Sequence, residues 1–168
     1  MTEYNEYVNT VKARLKKYNI FKATIESLSC DIQAKESILE KAISLGAPIA
    51  MYDNMPKGGS GELTTVERQA EERMMIRMDI DRAKYNLAET EFILGQLDRA
   101  MGALPQEDQF LLRGHYIDGR DWQVLGYELH YTERWARKKA IRAIKTMTII
   151  IFGPKACPDD TIWAFVRR

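Results

Sequence analysis

With 168 residues, 45% of them hydrophobic and 29% charged, the chain can bury one ordinary core, or a helical arm plus one small domain; large multidomain machinery is excluded. The formal net charge is only +1, so any electrostatic partner must be read from where charges cluster rather than from their sum. Cys30 and Cys157 stand alone, without the paired spacing of a zinc site or the density of a disulfide framework. The N-terminal MTEYNEYVNTVKARLKK lacks the apolar core of a signal peptide, and the apolar run from Met147 to Phe152 is far too short to span a bilayer. A cytoplasmic protein in a reducing compartment, with no membrane partner, is expected.

From Tyr4 to about Ala42, apolar residues recur at Tyr4, Val8, Val11, Leu15, Tyr18, Ile25, Leu28, Ile32 and Leu39, with gaps at Lys22 and Lys35. Steps of three and four predict one long helix with a heptad-like stripe. Gly46 and Pro48 end it, and the stretch 44–63 gathers glycines and prolines into a loop around an apolar MYDNMP. A second long helix is predicted from about Thr65 to Ala103, with Thr64 and Glu67 spaced as a capping box. Its stripe is read as Val66, Ala70, Met74, Met78, Tyr85, Ala88, Phe92 and Met101, and the methionines Met74, Met75 and Met78 are read as packing. Two such helices bury their stripes most simply as an antiparallel hairpin, with leftover surface for a second subunit.

Leu104-Pro105 opens a new unit. Pro105 suits a first helical turn, Phe110, Leu111 and Leu112 supply a buried side, and Ile117-Asp118-Gly119 reads as a turn. Asp121 is placed to cap a short helix carrying Trp122, Leu125 and Leu129 on one face, where Gly126 permits close approach by a crossing helix. After a brief turn at His130-Tyr131, Thr132 can cap a last helix running to Phe152. Ala136, Ala140, Ala143, Ile144 and Met147 form its packing stripe. The helix also carries Arg134, Arg137, Lys138, Lys139, Arg142 and Lys145 against the single acidic Glu133, which is the local asymmetry that phosphate attraction requires.

A helix, a short turn and a basic second helix is the arrangement in which one helix enters a DNA major groove while its predecessor braces it across the backbone. Arg134 and Arg137 could fork onto guanine edges, Lys138 could meet base or phosphate, Glu133 could accept from cytosine, and Thr132 or Gln123 could donate to phosphate. Arg142 and Lys145 complete the candidate DNA-binding set, Lys145 as a phosphate contact or a solvated charge.

LPQEDQFLLRGHYIDGRDWQVLGYELHYTERWARKKAIRAIKTM resembles the fourth region of bacterial sigma factors, which binds the upstream promoter element. The shared landmarks are Leu104-Pro105, the turn from Tyr116 to Gly119, Leu125, Leu129, Thr132 and the pair Arg142-Ala143. The layout as a whole resembles the sigma-like regulators of phages and prophages of Gram-positive bacteria, the ArpU/RinA late-transcription type. In these a helical segment and a glycine-rich loop, here Tyr52-Asp53-Asn54-Met55-Pro56 with Gly58-Gly59-Ser60-Gly61, precede the C-terminal unit. The resemblance implies that Glu133, Arg134, Trp135, Arg137 and Lys138 touch DNA. Two residues depart from the pattern: His130 replaces the glycine common in the turn, and Trp135 stands where sigma factors commonly carry a polar reader. Trp135 is open between packing, a stacking or methyl contact, and a partner anchor. No segment corresponds to the sigma region that grips core polymerase and melts DNA, so a complete sigma factor is not expected.

His115 and His130 lie in no HExxH or CxxC setting, and GGSG lacks the Lys-Ser/Thr of a phosphate-binding loop. No metal, cofactor or enzymatic activity is therefore expected. The sequence as a whole predicts an all-α protein with three parts: a long, coiled-coil-like helical hairpin over 1–103, a small sigma-like helix-turn-helix domain over 104–152, and a tail over 153–168 with Trp163 and Phe165. The expected function is sequence-specific transcription regulation, with double-stranded promoter or operator DNA and host RNA polymerase as partners and a homodimer formed through the N-terminal helices. Two alternatives stand beside it: a DNA-packaging adaptor like a phage terminase small subunit, and a pure protein-interaction module.

Overall fold

The computed structural model describes residues 3–44 and 65–156. Helix α1 spans Glu3–Lys16, α2 Tyr18–Ser44, α3 Thr65–Gly102 and α4 Gln106–Leu112. A π-helical turn, Arg113–Ile117, continues α4; α5 is Trp122–Glu128, α6 is Glu133–Phe152, and one 3-10 turn, Gly153–Ala156, follows. The protein is all-α, with no strand among the described residues. The stretch 45–64, including MYDNMP, the Gly46-Pro48 stop and Thr64 of the expected capping box, lies outside them, as does the tail from Cys157 onward.

The single helix expected from Tyr4 to Ala42 is interrupted at Lys17. The Lys17 N–H is shared between the Ala13 and Arg14 carbonyls, at 3.3 and 3.1 Å, which tightens the turn before Phe21 N–H resumes on Lys17 O at 2.9 Å. The described chain divides into two compact units. One takes residues up to Ala23 and from Glu91 onward; the other runs from Thr24 to Thr90. The boundary drawn in the sequence at residue 103 passes through the first unit.

The reason is visible in that unit's core. Val11 and Leu15 of α1, Leu97, Ala100 and Met101 of α3, and Leu112 at the end of α4 pack with Ala140, Ala143, Ile144 and Met147 of α6. All are essentially inaccessible to solvent, and each large apolar side chain so buried contributes about 1.5–3 kcal/mol. The alanines let α6 lie close to its neighbours. Thr148 is also buried, but its hydroxyl donates to Ile144 O at 2.8 Å and so is satisfied. At the unit's edge, Tyr18 OH donates to Asp98 Oδ1 at 2.7 Å and Tyr7 packs on Phe152 with ring centroids 4.9 Å apart. Burial, then the hydrogen bond and the charge of Asp98, push the Tyr18 phenol above its ordinary range.

In the second unit, Ile32 of α2 meets Ile80 and Ala83 of α3, with Leu39, Ile76 and Leu87 packed around them. Lys35 pairs with Asp79 at 3.7 Å, and Lys84 with Glu36 at 2.7 Å. This overturns the stripe assigned to α3. Met74, Met78, Tyr85 and Phe92 are 60–70% exposed, whereas Ile76, Ile80, Ala83 and Leu87 turn inward. The helix carries two apolar faces half a turn apart, and the branched Ile76 and Ile80 face is the one that α2 covers. Of the expected α3 stripe, Met101 is buried as foreseen.

Candidate functional site

The site begins with how α6 is held. Leu111 of α4, Leu125 of α5 and Ala136 of α6 form a small fully buried cluster, with Phe110, Trp122, Leu129 and Trp135 packed around it. Trp122 stacks on His115 at 3.8 Å and 28°, while His115 Nδ1 lies 2.9 Å from Arg120 O, so His115 is a structural residue. Gly119 adopts φ 70°, the left-handed geometry its turn needs. Arg120 pairs with Glu128 and lies over the Phe110 ring. Asp121 occupies the position before α5 in extended geometry, but its side chain makes no capping hydrogen bond, so the expected cap is positional only.

Between α5 and α6 the chain turns through Leu129, His130, Tyr131 and Thr132. His130 takes φ 59°, a left-handed conformation that glycine adopts without strain and other residues do not. Tyr131 N–H donates back to Gly126 O at 2.8 Å. A Cβ on Gly126 would sit 3.0 Å from Tyr131 O and 3.3 Å from Thr132 C and Glu133 N. Gly126 thus admits the turn and the first residue of α6, the close approach expected from the sequence. Thr132 caps α6 as expected, accepting the Trp135 N–H on Oγ1 at 3.3 Å.

On α6, Ala136, Ala140, Ala143, Ile144 and Met147 are buried, as the stripe predicts. The opposite face is a shallow groove of about 450 Å³ along Glu133, Arg134, Arg137, Lys138 and Ile141. Arg137 is not free, because its Nε donates to Glu133 Oε1 at 2.8 Å one turn earlier. The side chains of Arg134, Lys138, Arg142 and Lys145 carry no hydrogen bond or ion pair among the described residues, and all four residues are exposed. Gln123 is exposed on α5.

Trp135 leaves this row for the packing. It stacks on Tyr131 with ring centroids 3.5 Å apart and planes at 21°, is half-buried against the Leu111 cluster, and has Lys139 Nζ 4.6 Å from its ring centre. Lys139 is also diverted: it pairs with Glu107 and lies 3.7 Å from Asp108 Oδ1, tying α6 to α4. Burial alone would lower the Lys139 ammonium. The Glu107 hydrogen bond and the charges of Asp108 and Glu107 outweigh burial and hold the group above the ordinary lysine range. A second cleft of about 440 Å³ lies between Asp108 and the row Trp135, Lys138, Lys139 and Arg142.

Of the nine residues predicted from sequence, the structure brings Glu133, Arg134, Arg137 and Lys138 together on one groove and places Arg142 in the adjoining cleft with Lys138. Thr132 is given to capping and Trp135 to packing, while Gln123 and Lys145 line neither hollow. Sequence reasoning missed Ile141, 47% exposed in the middle of the cationic groove. Its signal was its spacing, seven residues after Arg134 and three after Lys138. No group of three or more metal-ligating side chains occurs among the described residues, and no helix there is long and apolar enough to cross a membrane. Compared with protein-family models, curated proteins and solved structures, the chain matches none.

Proposed function

We propose that the chain is a sequence-specific DNA-binding transcription regulator of the phage or prophage sigma-like kind, in which α6 enters the major groove and acts with host RNA polymerase. The observation that carries the reading is the unpaired cationic row Arg134, Lys138, Arg142 and Lys145, displayed by a helix whose other face is locked in the core. A charge without an internal partner breaks no ion pair when it meets a phosphate, and a rigid backbone lets its position carry sequence information. Arg134, in the first turn, is the reader of guanine, and Lys138 follows on the same face. Arg137 and Glu133 act as one paired unit, with Glu133 available to cytosine when Arg137 swings to DNA. Ile141 offers apolar contact to a thymine methyl. Arg142 and Lys145, further along, are suited to backbone contacts.

The test is selection of bound duplexes from a random pool, followed by binding of the selected site. Arg134→Ala should cost about 1–3 kcal/mol on that site and relax preference at one position. Lys145→Ala should weaken all sequences alike. No enrichment from the pool would remove the regulator reading. Closed rings of many subunits around DNA would point to a packaging adaptor, and lack of DNA affinity even at low salt to a protein-interaction module.

A further inference from the structure

The cationic groove uses none of α3's outer face, where several large apolar side chains stand exposed among the described residues. In the second unit Met74, Met75, Met78 and Tyr85 are 64, 71, 62 and 70% exposed, on the side of α3 opposite Ile76, Ile80, Ala83 and Leu87. The three methionines line a groove of about 430 Å³ with Arg68, Glu71 and Glu72 on its rim. A contiguous apolar patch with a charged rim marks an association surface, and methionine repacks readily against another helix.

The charges say what covers it. Glu71 and Arg82 lie on the same flank of the methionine stripe, eleven residues or about three turns apart, and neither has an ion pair among the described residues. We propose that this face pairs two copies of the chain, with their α3 helices antiparallel and crossing near residues 76 and 77. In that register like flanks face each other: Glu71 of each copy meets Arg82 of its partner, and Met74 and Met75 meet Met78. The patch is complementary to itself, as a two-fold interface must be. That register also brings Arg77 of the two copies together on the other flank, one like-charge contact against two Glu71–Arg82 pairs; a parallel pairing instead sets Arg77 beside Arg82 of the second copy on both sides and leaves Glu71 without a cation.

The pairing does not rest on the DNA-binding reading, because mass is measured without DNA. Light scattering and sedimentation of the full chain should give twice its 19.4 kDa mass. Met78→Glu should give the single-chain mass, and Glu71→Arg or Arg82→Glu alone should weaken the dimer by about tenfold or more in Kd, equivalent to about 1.4 kcal/mol. Combining Glu71→Arg with Arg82→Glu should restore it. All three residues are exposed, so circular dichroism should show unchanged helicity in each variant. A wild-type monomer, a larger assembly indifferent to Met78→Glu, or a double variant no tighter than the singles would each overturn the proposal.

Discussion

Replacing His130 by glycine should stabilise the protein, although it removes a side chain. At φ 59° the His130 Cβ crowds the carbonyl that follows, a conformation costing about 1–2 kcal/mol for a residue other than glycine. Glycine escapes that strain but loses more freedom on folding, about 0.5–1 kcal/mol. His130 is exposed and its ring makes no hydrogen bond, ion pair or ring contact among the described residues. The net gain is about 0.5–1 kcal/mol. For a chain of this size that raises Tm by about 1–4 °C, measurable by calorimetry. The control is His130→Ala, which keeps the Cβ and so keeps the strain. If alanine stabilises as much as glycine, the effect comes from losing the imidazole and the turn is not strained as argued.

Thr132→Ala removes the oxygen that accepts Trp135 N–H and should cost about 1 kcal/mol in urea unfolding, with DNA affinity falling as the first turn of α6 frays. Lys139→Ala leaves Asp108 Oδ1, buried and without a hydrogen-bond partner, stripped of its neighbouring charge; a loss of about 1–3 kcal/mol should appear in the unfolding midpoint. The Tyr18 and Tyr116 phenols are both raised by burial from 10.0, so folding favours their protonated forms. That contribution is complete below pH 10 and disappears as pH rises through the folded-state values. Unfolding followed across alkaline pH should show stability falling there, and Tyr18→Phe should make the fall shallower.

The residues of α6 were legible because burial and charge follow the same helical period: alanines and Met147 on one side, Arg134 and Lys138 on the other. The Glu133–Arg137 pair also follows from spacing alone. Lys139 does not, since its partner Glu107 lies 32 residues away and only the packing of α4 on α6 brings them together. The α3 stripe was misassigned for a related reason. Met74, Met78 and Tyr85 are spaced as well as Ile76, Ile80, Ala83 and Leu87, and local pattern contains nothing to say which face α2 will take. Likewise, Val11 and Leu15 announce a buried stripe without naming α6 as its cover. Left-handed backbone at residue 130 left little local signal, because a histidine, unlike a glycine, does not announce a positive φ.

The central claim is that the unpaired cations of α6 hold DNA phosphates and base edges, and its most direct test is the salt dependence of binding to a selected duplex. Fluorescence anisotropy across a range of salt concentrations should give a slope of log affinity against log salt approaching about −3 to −4 per bound chain if most of Arg134, Lys138, Arg142 and Lys145 neutralise phosphates. Lys145→Ala should make that slope shallower by about 1. Affinity indifferent to salt, or a slope unchanged by Lys145→Ala and by Arg142→Ala, would contradict the account.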